Sequence, residues 1–361
     1  MKTALLYKSI LALLMPVFLF AGTGNWKGKH SKDKVIKETF SVNSNATLKV
    51  DNSYGNIDII TWNENKIDIE VIIKVNGNNE EKVQKKLDEI SVDFESSSNE
   101  VHAKTIFNKN KSKSWFSWGN SNVNMKINYI IKMPITNNVD LSNDYGSINL
   151  DKLEGRAEIS CDYGKITTKE LMADNNVIKF DYTNNSYFEY IKSGEIVADY
   201  SGYTVAKANK LAIKADYTKS KIEIAEDIVY NCDYGGITIE KANNITGKSA
   251  YLTTRFGDVY KNVAVKADYG SLKIDNMTSN AGDVAIQSDY MKITIGYDAG
   301  YNFNFDFELD YASLNGKDNL EIQKQRIESG DKYYSGYYGS PNSGNNITIK
   351  SDYGSVTLKR N

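Results

Sequence analysis

Apolar and polar residues alternate with period two through most of this chain, and the alternation is interrupted at near-equal intervals by the same short turn. In Ile213-Lys214-Ala215-Asp216-Tyr217, Val265-Lys266-Ala267-Asp268-Tyr269 and Ile349-Lys350-Ser351-Asp352-Tyr353, an apolar residue stands four places before Tyr and a small one two places before it. After the turn, apolar residues recur two apart: Ile148 and Leu150, Ile237 and Ile239, Leu272 and Ile274, Ile293 and Ile295, Val356 and Leu358. Period-two patterning on both sides of a turn reads as strand, turn, strand.

The turn carries the dipeptide Asp-Tyr. It occurs ten times: Asp144-Tyr145, Asp162-Tyr163, Asp181-Tyr182, Asp199-Tyr200, Asp216-Tyr217, Asp233-Tyr234, Asp268-Tyr269, Asp289-Tyr290, Asp310-Tyr311 and Asp352-Tyr353. Chance pairing of 27 Asp and 25 Tyr over 361 residues gives roughly two, so this is an internal repeat. From Tyr145 to Tyr234 the steps are 18, 19, 18, 17 and 17 residues. Phe256 in Arg255-Phe256-Gly257 reads as a degenerate copy, Tyr353 follows Tyr311 only after 42 residues, and Asn52-Ser53-Tyr54-Gly55 is an early relative.

A unit of about 18 residues cannot bury a face alone, but units stacked about 4.8 Å apart bury a continuous core. The pattern therefore predicts an all-β fold, a parallel single-chain β-solenoid of about 18 residues per coil over 140–361. An antiparallel meander is the competing arrangement; the likeness of equivalent positions and the regular spacing favour the solenoid. Parity along Ile213–Tyr217 sets Ile213, Ala215 and Tyr217 on one side, which predicts Tyr rings turned inward and Asp outward. Gly follows Tyr in five of the ten copies, where a positive φ is expected.

Stacked carboxylates about 4.8 Å apart repel by roughly 1 kcal/mol even in water. Three devices offset this: Asp oxygens capping N–H groups within the turn, lysines two residues earlier (Lys179, Lys214, Lys266, Lys350), or a cation such as Ca²⁺ between coils. The turn cap with lysine help is the expected one, and no metal site or cofactor is assigned. Cys161 and Cys232 occupy the small inward position four coils apart, about 19 Å, so two buried free thiols are expected rather than a disulfide.

The flanks differ. Met1–Gly24, with Lys2 and Lys8, an apolar run Ile10–Phe20 and small residues after it, reads as a secretory signal peptide, and no later run is long enough for a transmembrane segment. Residues 25–139 read as a β-rich capping domain with strands at Thr47–Val50, Ile57–Ile60, Ile67–Val75 and Val123–Met133. One helix is expected at 79–91, with Asn78 or Asn79 as cap and Val83, Leu87 and Ile90 as its apolar stripe. Two polar segments are rich in aromatics: 108–122 holds Trp115, Phe116 and Trp118, and a Tyr/Gly-rich loop at 331–346 holds Tyr333, Tyr334, Tyr337 and Tyr338. These seven are the candidate binding residues; folding back as a cap on the solenoid is the alternative for each segment. The charged Lys359-Arg360 suits an exposed final edge.

Composition removes other classes. A net charge of −2 leaves no basic face for nucleic acid, and 2 His with 2 Cys leave little for metal or acid–base chemistry. Four Arg against 40 Lys, with abundant Asn, Ile and Tyr, carry the bias of an AT-rich bacterial genome.

The recurring Tyr-Gly-x-Ile-x-Leu steps, and Leu48-Lys49-Val50-Asp51-Asn52-Ser53-Tyr54-Gly55-Asn56-Ile57-Asp58-Ile59 with Trp62 after it, resemble the bacterial putative-adhesin family of β-strand-repeat domains of unknown function. The likeness covers about residues 40–361 and implies a secreted or envelope protein; the insistent Asp before Tyr departs from a plain member. The expected function is a non-enzymatic adhesin-like scaffold, exported to the periplasm, outer surface or extracellular space, with a glycan, matrix or envelope protein as partner. A parallel β-helix polysaccharide lyase or hydrolase and a periplasmic stress or signalling scaffold are the alternatives. No nucleophile motif, Walker loop, dinucleotide fingerprint, HExxH or paired CxxC is present, and no catalytic residue is assigned.

Overall fold

The computed structural model describes residues 26–108 and 123–361. The expected signal peptide and the segment holding Trp115, Phe116 and Trp118 lie outside the described residues. What is described is mostly β, with one α-helix and a single large, mostly parallel sheet wound in a solenoid-like stack.

The stack follows from in-register pairing of equivalent residues. Asp144 pairs with Asp162, Asp162 with Asp181, Asp181 with Asp199 and Asp199 with Asp216. Further on, Ala250 pairs with Asp268 and Asp268 with Asp289. Alternation then does the rest: in Val284–Tyr297 every second residue of Val284, Ile286 and Ser288 is buried, and so are Ile293 and Ile295 beyond the corner. Inward positions are complementary in size between coils. Gly247 lies directly against the ring of Tyr230 in the preceding coil, where any Cβ would collide with it.

Both ends of the stack invert the chain order. At the N-terminal end the elements are β1 (His30–Ser41), β2 (Thr47–Ser53), β3 (Ile57–Trp62), β4 (Lys66–Gly77), α1 (Glu80–Asp88), β5 (Ile90–Ser96), β6 (Glu100–Phe107) and β7 (Val123–Pro134). The coil formed by β2 and β3 is sandwiched: it pairs in parallel with β6 and β7 on one side and with Asn138–Asp144 and Ser147–Leu150 on the other. The repeat pairing thus crosses the boundary expected at 139/140. Outside it, β4 pairs antiparallel with β7 and with β1, and β5 with β6. Helix α1 is capped by the Asn79 side chain, which accepts from the Lys82 N–H at 2.9 Å, and buries Val83 and Leu87. It ends at Asp88, three residues short of the expected end, because Ile90 is taken by β5.

At the other end the last repeat in sequence is not the last in space. Asn346–Asp352 lies between Val284–Tyr297 and Phe303–Asp310, with Asp352 paired to both Asp289 and Asp310. Lys359 and Arg360 therefore do not close an open edge as expected. Ser355–Arg360 is paired with Lys292–Tyr297 and, in part, with Ser313–Asn315. The long gap before Tyr353 is the excursion that builds the outer coil and returns. The expected loop at 331–346 is also corrected: Asp331–Tyr338 is a strand, antiparallel to Phe303–Asp310 on one side and to Glu321–Glu328 on the other. Paired tyrosines on either side of Ser335-Gly336 hid the strand, since apolar and polar residues do not alternate there. Glu321–Glu328 is exposed along its whole length and carries Lys324 and Arg326, charges that blunt addition of a further strand.

Cys161 and Cys232 are buried and free. Burial pushes each thiol up to about 12, so neither is a thiolate at neutral pH. Thiol titration should find no reactive cysteine in the native protein and two after denaturation in guanidinium. One or no thiol in the denatured chain would refute this register.

Candidate functional site: an exposed tyrosine ladder

In the coil of Tyr54 and in each coil from Tyr145 onward, the corner residue is a tyrosine in the left-handed backbone region. Twelve tyrosines have φ between 47° and 64°: Tyr54, the ten of the Asp-Tyr repeat, and Tyr251. A non-glycine residue there costs roughly 1–2 kcal/mol, and Asn is the side chain that bears it best. This geometry overturns the expected inward ring. Parity cannot be carried through a left-handed residue, because the chain reverses its sense there and the side chain is thrown outward. The small residue two places earlier does turn inward, as Ala198, Ala215 and Ala267 show.

The positive φ thus sits on Tyr and not on the glycine after it; of the glycines at that place only Gly235 has one. Gly164 has another reason. A Cβ there would strike the backbone carbonyl of Gly146 in the preceding coil. Phe256 is corrected as well. It is a fully buried core residue, and the corner of its coil is Tyr251, with Ala250 in the Asp position. The signal was available, since Tyr251 stands 17 residues after Tyr234 and 18 before Tyr269.

The twelve rings form one stack. Successive centroids are 4.8–5.3 Å apart with interplanar angles of 2–8°, in the order Tyr54, Tyr145, Tyr163, Tyr182, Tyr200, Tyr217, Tyr234, Tyr251, Tyr269, Tyr290, Tyr353, Tyr311. Phe107 meets Tyr54 edge-on at 6.1 Å at one end, and Gly330 packs on the ring of Tyr311 at the other. The corner rings from Tyr145 onward keep 42–60% of their surface in water. Stacking is worth about 0.5–1.5 kcal/mol per pair beyond area burial. That is about the cost of the left-handed corner, and half-exposed rings forgo much of their burial. Stability alone does not explain tyrosine at all twelve corners.

Beside the ladder runs a column of aspartates. Each carboxylate in the middle of the stack accepts the backbone N–H of the equivalent residue one coil on. Asp162 accepts from Asp181 at 3.1 Å, Asp181 from Asp199 and Asp199 from Asp216 at 3.2 Å, Asp216 from Asp233 at 3.1 Å, and Asp233 from Ala250 at 2.7 Å. The aspartates therefore cap the next coil and not their own turn. Ser201 and Thr218 add similar links, each accepting a backbone N–H from the preceding coil. The expected lysine neutralisation does not occur. Lys214 pairs with Glu195 at 2.7 Å and Lys350 with Glu308 at 2.8 Å, and among the described residues no ion pair reaches any of the ten aspartates. At the end of the column, Asp310 faces Asp331 across an antiparallel pair, and their shared hydrogen bond holds the Asp310 carboxyl above the ordinary range. Among the described residues no group of three or more His, Cys, Asp or Glu is placed to hold a metal ion.

The structure scatters the candidate binding residues. Tyr334 and Tyr338 are buried in the sheet, and the Tyr338 hydroxyl donates to the Ala299 carbonyl at 3.0 Å. Tyr333 and Tyr337 are half-buried, and the Tyr333 hydroxyl donates to Asp306 at 2.8 Å. Exposed aromatic surface is found instead on the repeat tyrosines.

No protein-family model matches the chain, and no curated protein matches its sequence. It is similar to solved structures of a putative cell adhesion protein from Clostridium sporogenes (13% identity, 91% of this chain, 100% of that chain, TM-score 0.18). Others are putative adhesins from Bacteroides fragilis (14% identity, 91% of this chain and 97% of that chain, TM-score 0.26) and Parabacteroides distasonis (13% identity, 91% and 97%, TM-score 0.30). At these identities and TM-scores, function has to be argued from this chain's own residues.

Two outcomes follow from the corner geometry. Asp199→Ala should cost about 1.5–3 kcal/mol in chemical denaturation, the worth of a hydrogen bond to a charged group. Asp199→Asn keeps an accepting oxygen and should cost less; equal losses for the two would discount the inter-coil bond. The second concerns pH. The phenols of Tyr163, Tyr217 and Tyr353 titrate above their usual value near 10, first because neighbouring rings desolvate them, then because adjacent tyrosines and aspartates oppose a new negative charge. The folded state favours the neutral phenol, so this stabilisation is complete below about pH 10 and is lost as pH rises beyond it. Melting temperature should hold from pH 7 to 9 and fall above 10; a flat profile to pH 11 would contradict it.

Proposed function

We propose that this protein is a non-enzymatic, exported, adhesin-like binding scaffold. Its body is a parallel β-solenoid of about 18 residues per coil, with a β-rich capping domain over 25–139, and its contact surface is the tyrosine ladder. The partner is a glycan, matrix or envelope protein presented as an extended polymer or surface. The observation that carries this reading is the unbroken row of solvent-facing rings at corners where Gly or Asn would be less strained. A rigid stack holds the row at a nearly fixed pitch, so a partner meets a preformed surface and little ordering entropy is lost. The bacterial composition and the signal-peptide pattern of Met1–Gly24 support export.

The test is sedimentation of purified mature protein with insoluble bacterial envelope and with extracellular-matrix polymers, beside the variant Tyr200→Asn/Tyr217→Asn/Tyr234→Asn. Asn tolerates the left-handed corner, so the variant should fold. Wild type should bind at least one surface, and the variant at least ten-fold more weakly. No binding by wild type, or equal binding by both, would overturn the reading. Protease accessibility on intact cells locates the protein on the outer surface or inside the envelope.

A further inference from the structure

The ladder's geometry narrows the chemistry of what it can hold. Successive centroids lie 4.8–5.3 Å apart, and a molecule inserted between rings would need about 7 Å, two van der Waals contacts. Ring faces are thus occupied by neighbouring rings, and a ligand arriving from solvent meets a ridge of ring edges and hydroxyls. The edge of an aromatic ring is electropositive and its face electronegative. A glycan reaching the ladder therefore meets hydroxyls and ring edges and not ring faces. A flat body laid along the ridge covers several ring edges at once, and any attraction for its charge has to come from beside the rings.

The second observation is charge. In the eleven coils from Tyr145 to Tyr311, ten carry Asp immediately before the corner tyrosine. Among the described residues none of these ten is in an ion pair. From Asp162 to Asp233 one oxygen of each carboxylate is held by the next coil's N–H, which fixes the charge beside the ladder. Their field reaches the rings, since it helps to raise the Tyr163 and Tyr217 phenols. A column of like charges at this spacing is relieved by a cation lying alongside it. Among the described residues no Lys or Arg is stacked on a ladder ring.

We propose that the surface formed by the tyrosine ladder and the aspartate column beside it is a binding site for an elongated, flat, conjugated small molecule bearing a positive charge, lying parallel to the stack axis across about four coils. This rests on the reading of the ladder as a contact surface and gives that surface a ligand class.

The probe is the planar cationic dye thioflavin T, titrated by fluorescence against the full mature chain. Saturable enhancement is expected, weakening with added salt. Tyr200→Phe/Tyr217→Phe keeps the rings and should leave affinity within two-fold. Tyr200→Asn/Tyr217→Asn interrupts the ladder and should weaken binding at least ten-fold. Asp199→Asn/Asp216→Asn retains an accepting oxygen, removes the charge and should weaken it at least five-fold. The flat dianion Congo red should bind at least ten-fold more weakly than thioflavin T. The proposal is overturned if thioflavin T fails to bind the wild type, if the Asn ladder variant binds as the wild type does, or if Congo red binds equally well. Should an Asn variant fail to fold, the Asp→Asn pair and the dye comparison still decide. Envelope or matrix binding that depends on the ladder, without thioflavin T binding, would sink this inference and leave the proposed function standing. Dye binding without any envelope or matrix binding would do the reverse.

Discussion

In-register stacking is the constraint on which the rest of this structure depends. Each coil places its residues over the equivalent residues of the last, joined by the same parallel backbone ladder. Whatever one coil does at its corner, its neighbours must do within a few tenths of an ångström. A left-handed residue in one coil demands a left-handed residue in the next, and a side chain thrown outward becomes a column. The tyrosine stack, the aspartate column and the chain of Asp-to-backbone bonds are three consequences of one repeat geometry. Each contact is modest, and repetition makes it a property of the whole face.

The two ends show how the same constraint is brought to a stop. A stack of parallel strands leaves open edges, and an open edge invites another chain. Here the chain inverts its order at both ends, so that β2 and β3, and again Asn346–Arg360, lie inside coils laid down outside them. The outermost elements then switch to antiparallel pairing, by β5 on β6, by β1 on β4, and by Asp331–Tyr338 on Phe303–Asp310. Antiparallel strands break the register that would let another solenoid continue the stack, and the exposed Glu321–Glu328 adds charge to the break. The C-terminal residues are structural keys, clamped between coils formed earlier in the chain.

Much of the architecture was legible because period-two alternation and a fixed interval are both direct imprints of stacking. Ile213, Ala215, Cys161 and Cys232 point where alternation puts them. The reading failed at the points where alternation itself breaks. Tyr217 obeys parity only if the backbone stays extended, and a φ of 51° means that it does not. Phe256 matched an aromatic search, whereas Tyr251 matched the interval; the interval was the physical signal, because coil length is set by backbone closure and side-chain type is not. Asp331–Tyr338 escaped notice since the adjacent Ser335 and Gly336 resemble a loop, although between two strands Gly336 simply leaves room for Phe305, which packs against it. Spatial order was not legible at all. No local pattern states that Tyr353 stacks between Tyr290 and Tyr311.

A surface built by repetition also changes what a functional site means here. A catalytic centre needs a few unlike groups converging on one point, which a coil-by-coil repeat supplies poorly, since each coil presents the same groups in the same direction. What it supplies well is a line: one ring edge per coil and a carboxylate in nearly every coil, at nearly constant pitch, held by a core of interlocking inward residues. A line discriminates between partners by length, flatness and charge density. Loss of a single tyrosine in the middle of the ladder divides it into two shorter ladders, and loss at an end merely trims it. Position along the stack, more than the identity of any one residue, therefore sets how strongly a substitution is felt. Ala250, the one coil of this run without its carboxylate, falls near the middle of the aspartate column and leaves the ring stack through Tyr251 unbroken. The aromatic row has no gap from Tyr54 to Tyr311, while the charged row has one at Ala250, so the rings are the more continuous of the two features on this face.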